Sequence, residues 1–323
     1  MNEDESEMDE VLVTVVPALL AGVRVDRAVS MLGNISRNAA ADLIAEGRVV
    51  LNGDVVTVGK ALLTEGAELS IALSTDGGPG VEPEAGVAFV VVHADDAVVV
   101  VDKPAGLVVH PGAGHQEGTL VGGLLSRFPD LADLVEAGVC APDRPGIVHR
   151  LDKGTSGLMA VARTEESYES LVGQLADRSM SRRYLALVEG HVADDRGEVD
   201  APIGRSNRTP TKMTIAAGGK AARTAYEVLE RRTEPRPTTL LECRLQSGRT
   251  HQIRVHMAAI GHPVVGDARY GTVDPRLPSG RFFLHATHLG FIHPTSGESV
   301  EFSSPLPPDL AGLEGDAVRL PEG

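Results

Sequence analysis

The chain has 323 residues, of which 42% are hydrophobic and 23% charged, a composition typical of globular proteins, and its length favours two domains. No apolar run approaches the ~20 residues that a membrane span needs, and the first residues are acidic where a signal peptide is basic. Two cysteines, Cys140 and Cys243, are too few for a disulfide framework or a Cys-rich zinc site. These features predict a cytoplasmic protein with no membrane association.

The net charge of −15 argues against a nucleic-acid partner if the chain is taken as a whole. The charge is uneven, however: residues 1–148 carry 8 basic and 23 acidic side chains, residues 149–294 carry 21 and 16, and residues 295–323 carry 1 and 6. Because phosphate binding depends on the potential within roughly 10 Å, the basic middle of the chain could bind a polyanion. A chance excess of basic residues is the alternative.

The first elements are short. Six carboxylates in residues 1–10 predict a disordered tail, and the β-branched run 11–16 predicts a strand. Apolar spacing predicts one helix within 22–32 and a second that is capped by Ser36 and ends at Gly47. The run 48–58 predicts a hairpin with an Asn-Gly turn.

Two helices followed by a hairpin resemble the S4 RNA-binding module, which we assign to residues 11–73. The marks are R-V-D-R-A at the first helix, S-R at the second, and E-G-R-V-x-L-N-G at the hairpin. The alternative is a helix pair whose arginines are merely solvated. The resemblance implies an RNA-binding role for four arginines, namely Arg24, Arg27, Arg37 and Arg48.

A Gly-, Pro- and acid-rich stretch, 74–86, predicts a linker, after which two strands are expected at 89–93 and 97–101. The second domain is placed at 87–312, followed by a C-terminal tail, 313–323.

The first cluster of chemical interest contains His149, Arg150, Asp152 and Lys153, directly before an apolar run, 158–162, that predicts a fully buried strand. A carboxylate flanked by two cations stays ionised, as a nucleophile or an electrostatic stabiliser requires. A structural salt bridge at a strand end is the alternative.

The second cluster runs from a predicted strand into a helix that we expect Thr250 to open. Ile253 shares the buried helical face with Met257, whereas Arg254 projects elsewhere. Arg249 lies at the junction between loop and helix, where a guanidinium can form a bidentate pair with a carboxylate or a phosphate.

Neither a metal site nor a cofactor site is predicted. His251 and His256 are five residues apart and therefore lie on different helical faces, with no acid nearby to complete a zinc site. The glycines around 112–118 lack the spacing of a dinucleotide-binding loop.

Three segments resemble the signature motifs of the RluA/RluD-type pseudouridine synthases of ribosomal RNA. They read H-R-L-D-K-G-T-S-G-L, R-R-Y-L-A-L-V-E-G, and G-R-T-H-Q-I-R-V-H-M followed by G-H-P-V-V-G-D-A-R-Y-G. The resemblance covers about 88–310. It implies an α+β fold: a small S4-type domain, then a catalytic domain built on a long mixed, mostly antiparallel sheet with flanking helices and a central active-site cleft.

The resemblance also implies roles for individual residues. Asp152 would act at ribose C1′ or C2′, with Arg249 paired to it. Tyr184 would stack on the uracil and help to remove the C5 proton. Ile253 would pack against the base, or simply fill the core. Arg150 would occupy the space that a flipped uridine leaves in an RNA helix, or serve as a salt-bridge partner.

The remaining basic residues are assigned more generally. His149 and Lys153 would be architectural or would contact phosphate. The side chains expected along the RNA path are Arg178, Arg182, Arg183, Arg205, Arg208 and Lys212. The sequence thus predicts a monomeric, cofactor-free pseudouridine synthase of structured RNA, with 23S ribosomal RNA as the expected target. A hydrolytic RNA N-ribosidase and an RNA-binding ribosome-assembly factor with a vestigial site are the alternatives.

Overall fold

The parts of the chain that the computed structural model describes are residues 10–33, 37–73, 80–112, 115–206, 209 and 212–313. They form two compact units. The first comprises the described residues up to Gly80 together with Ala141–Asp143, and the second comprises the described residues of Val81–Cys140 and those from Arg144 onward. Glu84 belongs to the second unit, because its N–H donates to Gly122 O at 2.8 Å and its carboxylate accepts from Gly118 N at 2.7 Å. The second half of the expected linker is therefore part of the second unit.

The described part of the first unit contains seven elements: β1 (Glu10–Val15), a 3-10 helix (Ala18–Leu20), α1 (Val25–Leu32), α2 (Arg37–Ala45), β2 (Val49–Leu51), β3 (Asp54–Val55) and β4 (Glu68–Leu73). The strands form an antiparallel sheet in the order β1-β4-β2-β3. Asn52 and Gly53 both have positive φ, 53° and 86°, as a two-residue hairpin turn requires. The predicted helix pair and hairpin are confirmed, although β3 ends three residues earlier than expected and Glu10 already belongs to β1.

Helix α1 covers one face of this sheet because its apolar residues recur at helical spacing. Val25, Ala28 and Val29 are fully buried and pack in one cluster with Ile44 of α2 and Ile71 of β4. The predicted cap Ser36 lies outside the described residues.

The described part of the second unit contains one 3-10 helix (Pro129–Ala132) and five α-helices: α3 (Leu120–Arg127), α4 (Asp133–Glu136), α5 (Glu165–Ala176), α6 (Gln252–Ala259) and α7 (Pro308–Ala311). Its strands are β5 (Val90–Ala94), β6 (Val98–Lys103), β7 (Ser156–Ala162), β8 (Ser181–Glu189), β9 (Arg196–Asp200), β10 (Ile203–Arg205), β11 (Met213–Ile215), β12 (Arg223–Arg232), β13 (Thr238–Leu245), β14 (Leu284–Ile292) and β15 (Ser299–Ser303).

Nine of these strands form one sheet in the order β5-β6-β7-β14-β8-β13-β12-β9, with β15 paired to β14, while β10 and β11 form a separate hairpin. The β7–β14 pair is parallel and the other strand pairs are antiparallel. This confirms the predicted α+β fold with a long mixed, mostly antiparallel sheet.

Apolar side chains cover both faces of the sheet at β6 and β7. All seven residues of β7 are buried, which confirms the predicted strand. Val99 and Met159 pack in the cluster that includes Leu120 of α3, whereas Leu158 packs on the opposite face with Leu171 of α5. These two layers fix β7, and with it the loop that precedes it.

Gly157 permits the close approach of β7 to β14. Its φ is 114°, and a Cβ at this position would lie 2.3 Å from Ala286 O. Any side chain here would therefore separate the two strands and shift the loop before β7.

Candidate active site

Asp152 lies in the loop before β7, where its carbonyl accepts from Thr155 N at 3.0 Å. Its side chain is 16% exposed and lines a cavity of about 620 Å³. Tyr184 from β8 and Ile253 from α6 line the same cavity and are buried. The fold thus brings together three side chains, from three separate motifs, that the sequence assigned to one site.

Arg254 from α6 holds the Asp152 carboxylate. Its Nη1 donates to Asp152 Oδ2 at 2.8 Å, while Nε and Nη2 form a bidentate pair with the buried Asp267 at 2.6 and 2.9 Å. Its guanidinium also lies over the Phe282 ring, 4.2 Å from the centroid. Burial alone would lower the pKa of Arg254, but hydrogen bonds and charge interactions with the two carboxylates outweigh burial and raise it.

The expected pairing of Arg249 with Asp152 is wrong. Arg249 is exposed, and its Nε donates to Ala221 O at 3.0 Å. The reason is the helix start: His251 has φ 58°, so α6 begins at Gln252 rather than at Thr250. Arg249 consequently stays in the loop before the helix, and Arg254, which the sequence pattern had pointing elsewhere, reaches the carboxylate.

Tyr184 and Ile253 combine a place in the core with a place on the cavity wall. They are 5% and 3% exposed and share a hydrophobic cluster with Leu284. Burial raises the pKa of Tyr184, so its hydroxyl is neutral at physiological pH. Ile253 therefore fills the core and also lies in the cavity wall, and its contact with the base stays a prediction.

Strand alternation separates two neighbouring arginines that were both expected along the RNA path. Arg182 is 6% exposed and lines the cavity on the same face of β8 as Tyr184. Arg183 points to the other face, where it lowers the pKa of His288, second to the effect of burial. Burial lowers the pKa of Arg182 itself.

The residues beside Asp152 have distinct surroundings. His149 lines the cavity, and its Nε2 accepts from Ala160 N at 3.0 Å. Burial, assisted by the nearby charge of Arg182, lowers the pKa of His149 to about 3, so the ring is neutral. Arg150 and Lys153 are exposed, and each donates to a histidine. The acceptors are His110 Nε2, at 2.8 Å from Arg150 Nη1, and His115 Nε2, at 2.7 Å from Lys153 Nζ.

The sequence pattern missed three contributors to this site: Arg254 and Asp267 as partners, and His251 as a neighbour. His251 Nε2 lies 3.9 Å from Asp152 Oδ1, and its Nδ1 lies 2.7 Å from the Tyr270 hydroxyl. Burial lowers the pKa of His251 to about 4, so this ring is also neutral. All three lie inside the quoted motifs, but only their proximity in space reveals what they contact.

The expected RNA-contacting arginines of the first unit are mostly at its surface. Arg24 and Arg27 are exposed, and Arg24 pairs with Asp26. Arg48 lies 3.9 Å from Glu46. Arg37 opens α2, and its side chain lies outside the described residues. The RNA-binding role of these arginines stays a prediction.

The remaining expected RNA contacts lie in the second unit. Arg178 is exposed at the cavity rim, and Arg205 is exposed at the end of β10. Lys212 is exposed, and its Nζ donates to Arg269 O at 2.5 Å. Arg208 lies outside the described residues.

Within the described ranges, no group of three or more His, Cys, Asp or Glu side chains is arranged to hold a metal ion. None of the helices in those ranges is both long enough and apolar enough to cross a membrane.

Comparison with family models gives two matches. Residues 97–259 match the model described as RNA pseudouridylate synthase, and residues 23–69 match the S4 domain. The first match contains Asp152, Tyr184 and Arg254, and the second covers most of the first unit.

Similar proteins include an uncharacterized RNA pseudouridine synthase of Bacillus subtilis, 43% identical over 86% of this chain and 88% of that protein. Ribosomal large subunit pseudouridine synthase D of Nitrosomonas europaea is 41% identical over 98% of this chain and 90% of that protein. The protein of the same name from Pseudomonas aeruginosa is 41% identical over 92% of this chain and 93% of that protein. Among solved structures, human RNA pseudouridylate synthase domain containing 1 aligns with a TM-score of 0.53 and 31% identity, over 71% of this chain and 89% of that one.

Proposed function

The chain belongs to the RNA pseudouridylate synthase family, and from that membership we propose that it isomerises uridine to pseudouridine in large-subunit ribosomal RNA, with Asp152 as the reacting carboxylate. It is an isomerase that carries an S4 domain. The proposed target is supported by the relatives named as large-subunit enzymes, which are 41% identical over more than nine-tenths of this chain.

The reaction breaks the C1′–N1 bond of uridine, turns the uracil over and joins its C5 to C1′. As in glycoside hydrolysis, C1′ becomes electron-poor when the bond breaks, and a carboxylate can stabilise or trap it. Asp152 would either attack C1′ or remove the proton from C2′. Both routes need the carboxylate to be ionised and fixed in position, and neither needs an external group donor.

The observation that carries the proposal is the Asp152–Arg254 pair at 2.8 Å in the wall of a 620 Å³ cavity. Arg254 is itself held by Asp267, so the Asp152 carboxylate is oriented before the substrate binds. Tyr184 offers its ring to the uracil and its hydroxyl to the C5 proton. Ile253 supplies an apolar contact to the base.

Access to a paired uridine requires flipping, which costs a few kcal/mol of lost stacking and pairing. In this proposal Arg150, exposed at the cavity and next but one to Asp152, occupies the vacated place in the RNA helix. We expect the S4 domain to add further contacts to the RNA.

The proposal is tested by carbodiimide mapping of pseudouridine in total RNA from cells with and without the gene. We expect sites in large-subunit ribosomal RNA to disappear with the gene, to return with the wild-type gene, and to remain absent with Asp152→Asn. The matched control is Asp177→Asn, an exposed carboxylate outside the cavity, which should restore every site. An unchanged map would contradict the target, and full rescue by Asp152→Asn would contradict the assigned carboxylate.

The purified protein separates the substrate classes. We expect pseudouridine in transcripts of 23S ribosomal RNA, and none in 16S ribosomal RNA or transfer RNA treated in parallel. Release of free uracil in place of pseudouridine would instead indicate a hydrolytic N-ribosidase, and RNA binding with neither product would indicate an assembly factor.

A further inference from the structure

Arg182 is a buried cation without a partner among the described residues. Within the described part of the second unit, three arginines are less than 7% exposed, namely Arg182, Arg254 and Arg281. Arg254 is held by two carboxylates, and Arg281 pairs with Asp309 and donates to Gly154 O at 2.6 Å. Arg182, in contrast, has no hydrogen bond or ion pair with any residue that the structure describes, and its buried Nε is unsatisfied.

A buried charge without a partner lowers the stability of the fold, because burial removes its hydration and no other interaction replaces it. Such a group persists in a cavity wall when the ligand supplies the missing partner. The protein groups around Arg182 do not supply it. His149 is neutral, Tyr184 is neutral, and the Asp152 carboxylate is bound by Arg254. A substrate acceptor that is anionic, or becomes anionic during the reaction, would supply the missing partner.

The position of Arg182 indicates which part of the substrate it would contact, the base rather than the phosphates. It lies two residues before Tyr184 on the same face of β8, and its Nη1 lies against Gly248, where an added Cβ would approach to 3.0 Å. The guanidinium is thus in the wall that the base is proposed to face. Exposed arginines at the rim, Arg150 and Arg178, are better placed for backbone phosphates.

We propose that Arg182 is a further catalytic residue, whose guanidinium donates hydrogen bonds to the uracil carbonyl oxygens and stabilises the negative charge that develops on the base when the C1′–N1 bond breaks. This inference rests on the proposed function.

The charge balance of the reaction explains why a second cation is needed. When the C1′–N1 bond breaks, its electron pair stays on N1 and is shared with O2 and O4. Asp152 loses its negative charge at the same stage, since it either forms an ester with C1′ or takes the C2′ proton. In both routes one negative charge moves from Asp152 to uracil. C5 then bonds to C1′ while the Asp152 ester bond breaks or, on the other route, while the C2′ proton returns from Asp152. The C5 proton passes to a base and N1 gains a proton, so the carboxylate is regenerated and no co-reactant is required.

The two arginines therefore match successive states. Arg254 pairs with the charge while it is on Asp152, and Arg182 pairs with it after it has moved to the base. A donor that is preorganised for charge in the transition state contributes more to the rate than to binding, because the neutral ground-state base interacts with it weakly.

The test uses the full-length protein, a 23S ribosomal RNA transcript, and three variants: Arg182→Met, Arg182→Lys and the control Arg196→Met, an exposed arginine paired with Glu227. For Arg182→Met we expect the single-turnover rate of pseudouridine formation at saturating protein to fall by roughly 10²–10³-fold, as when an oxyanion donor is removed. RNA affinity should stay within about threefold of the wild type, since binding mainly reflects the phosphate contacts. The rate of Arg182→Lys should lie between those of Arg182→Met and the wild type, and Arg196→Met should match the wild type in both rate and RNA affinity.

A transcript containing 5-fluorouridine sharpens the test. Fluorine withdraws electrons and stabilises the uracil anion, so the loss caused by Arg182→Met should be smaller for the consumption of 5-fluorouridine than for that of uridine. Arg182→Met should also unfold at the same or a higher temperature than the wild type, because it removes an uncompensated buried charge.

Three results would overturn the inference. They are an unchanged rate, a loss confined to RNA affinity as expected for a phosphate contact, and an equal loss on both transcripts. If Arg182→Met fails to fold, Arg182→Lys on the two transcripts decides by the same comparison. Failure of the wild-type protein to form pseudouridine would overturn the proposed function instead, so the two failures are distinguishable.

Discussion

Replacing Arg254 by Met tests the ion-pair chain that orients Asp152. The substitution keeps an unbranched apolar side chain over the Phe282 ring but removes three hydrogen bonds, two to Asp267 and one to Asp152. Asp267, only 1% exposed, is left as a buried carboxylate that still accepts from the N–H groups of Arg269 and Tyr270.

Breaking a buried ion pair from one side costs about 3–5 kcal/mol, and we expect Arg254→Met to lower the free energy of unfolding by that amount. The single-turnover rate should fall at least ~10²-fold, because Asp152 loses the group that fixes its position. The double variant Arg254→Met/Asp267→Asn should recover most of the stability, since no buried charge is left unpaired there, but none of the activity.

Arg249→Met is the matched control. Its guanidinium is exposed and bonded to a backbone carbonyl, so the free energy of unfolding should change by less than about 0.5 kcal/mol, and the rate at saturating RNA should be retained. Urea unfolding followed by circular dichroism gives the stabilities, and quenched single-turnover reactions give the rates. Equal losses for Arg249→Met and Arg254→Met, or a cost below about 1 kcal/mol for Arg254→Met, would refute the reasoning.

Two further results are expected. Because the pKa of His149 is about 3 in the fold and near 6.5 in the unfolded chain, the unfolded state binds the extra proton between those values. Acidification from pH 7 to 4.5 should thus lower the free energy of unfolding by roughly 2 kcal/mol more in the wild type than in His149→Gln, as urea titrations at both pH values would show. Deleting residues 1–9 removes five carboxylates, so the shortened protein should bind RNA more tightly than the wild type in filter assays at low salt. The difference in affinity should vanish at a salt concentration of about 0.5 M, where charges are screened. Weaker binding by the shortened protein would contradict the charge argument.

Local features of the fold could be predicted from the sequence. Three such features are the apolar spacing of α1, the Asn52–Gly53 turn and the uninterrupted apolar run of β7. Each reflects a local conformational preference that tertiary contacts did not override. The boundaries were less accurate, because the sequence does not state where pairing stops. Glu10 extends β1 through its pairing with Leu73 of β4, which lies 63 positions later in the chain.

The order of the motifs determined the family and brought Asp152, Tyr184 and Ile253 into one expected site. The partner of Asp152 was decided only in three dimensions. A single left-handed residue, His251, precedes α6, and Arg254 rather than Arg249 reaches the Asp152 carboxylate, although both arginines line the cavity. Sequence spacing could not reveal this, because the conformation of one backbone residue rotates every side chain that follows it.

The charge pattern divides in the same way. Composition by segment correctly located the basic surplus in residues 149–294, where the active-site motifs lie. It could not distinguish Arg182 from Arg183, which are adjacent in the chain and point to opposite faces of β8. The sequence determined which chemical groups the site has. Only the packing of β8 against α6 and the loop before β7 decided which of them are buried, which are paired, and that Arg182 has no partner among the described residues.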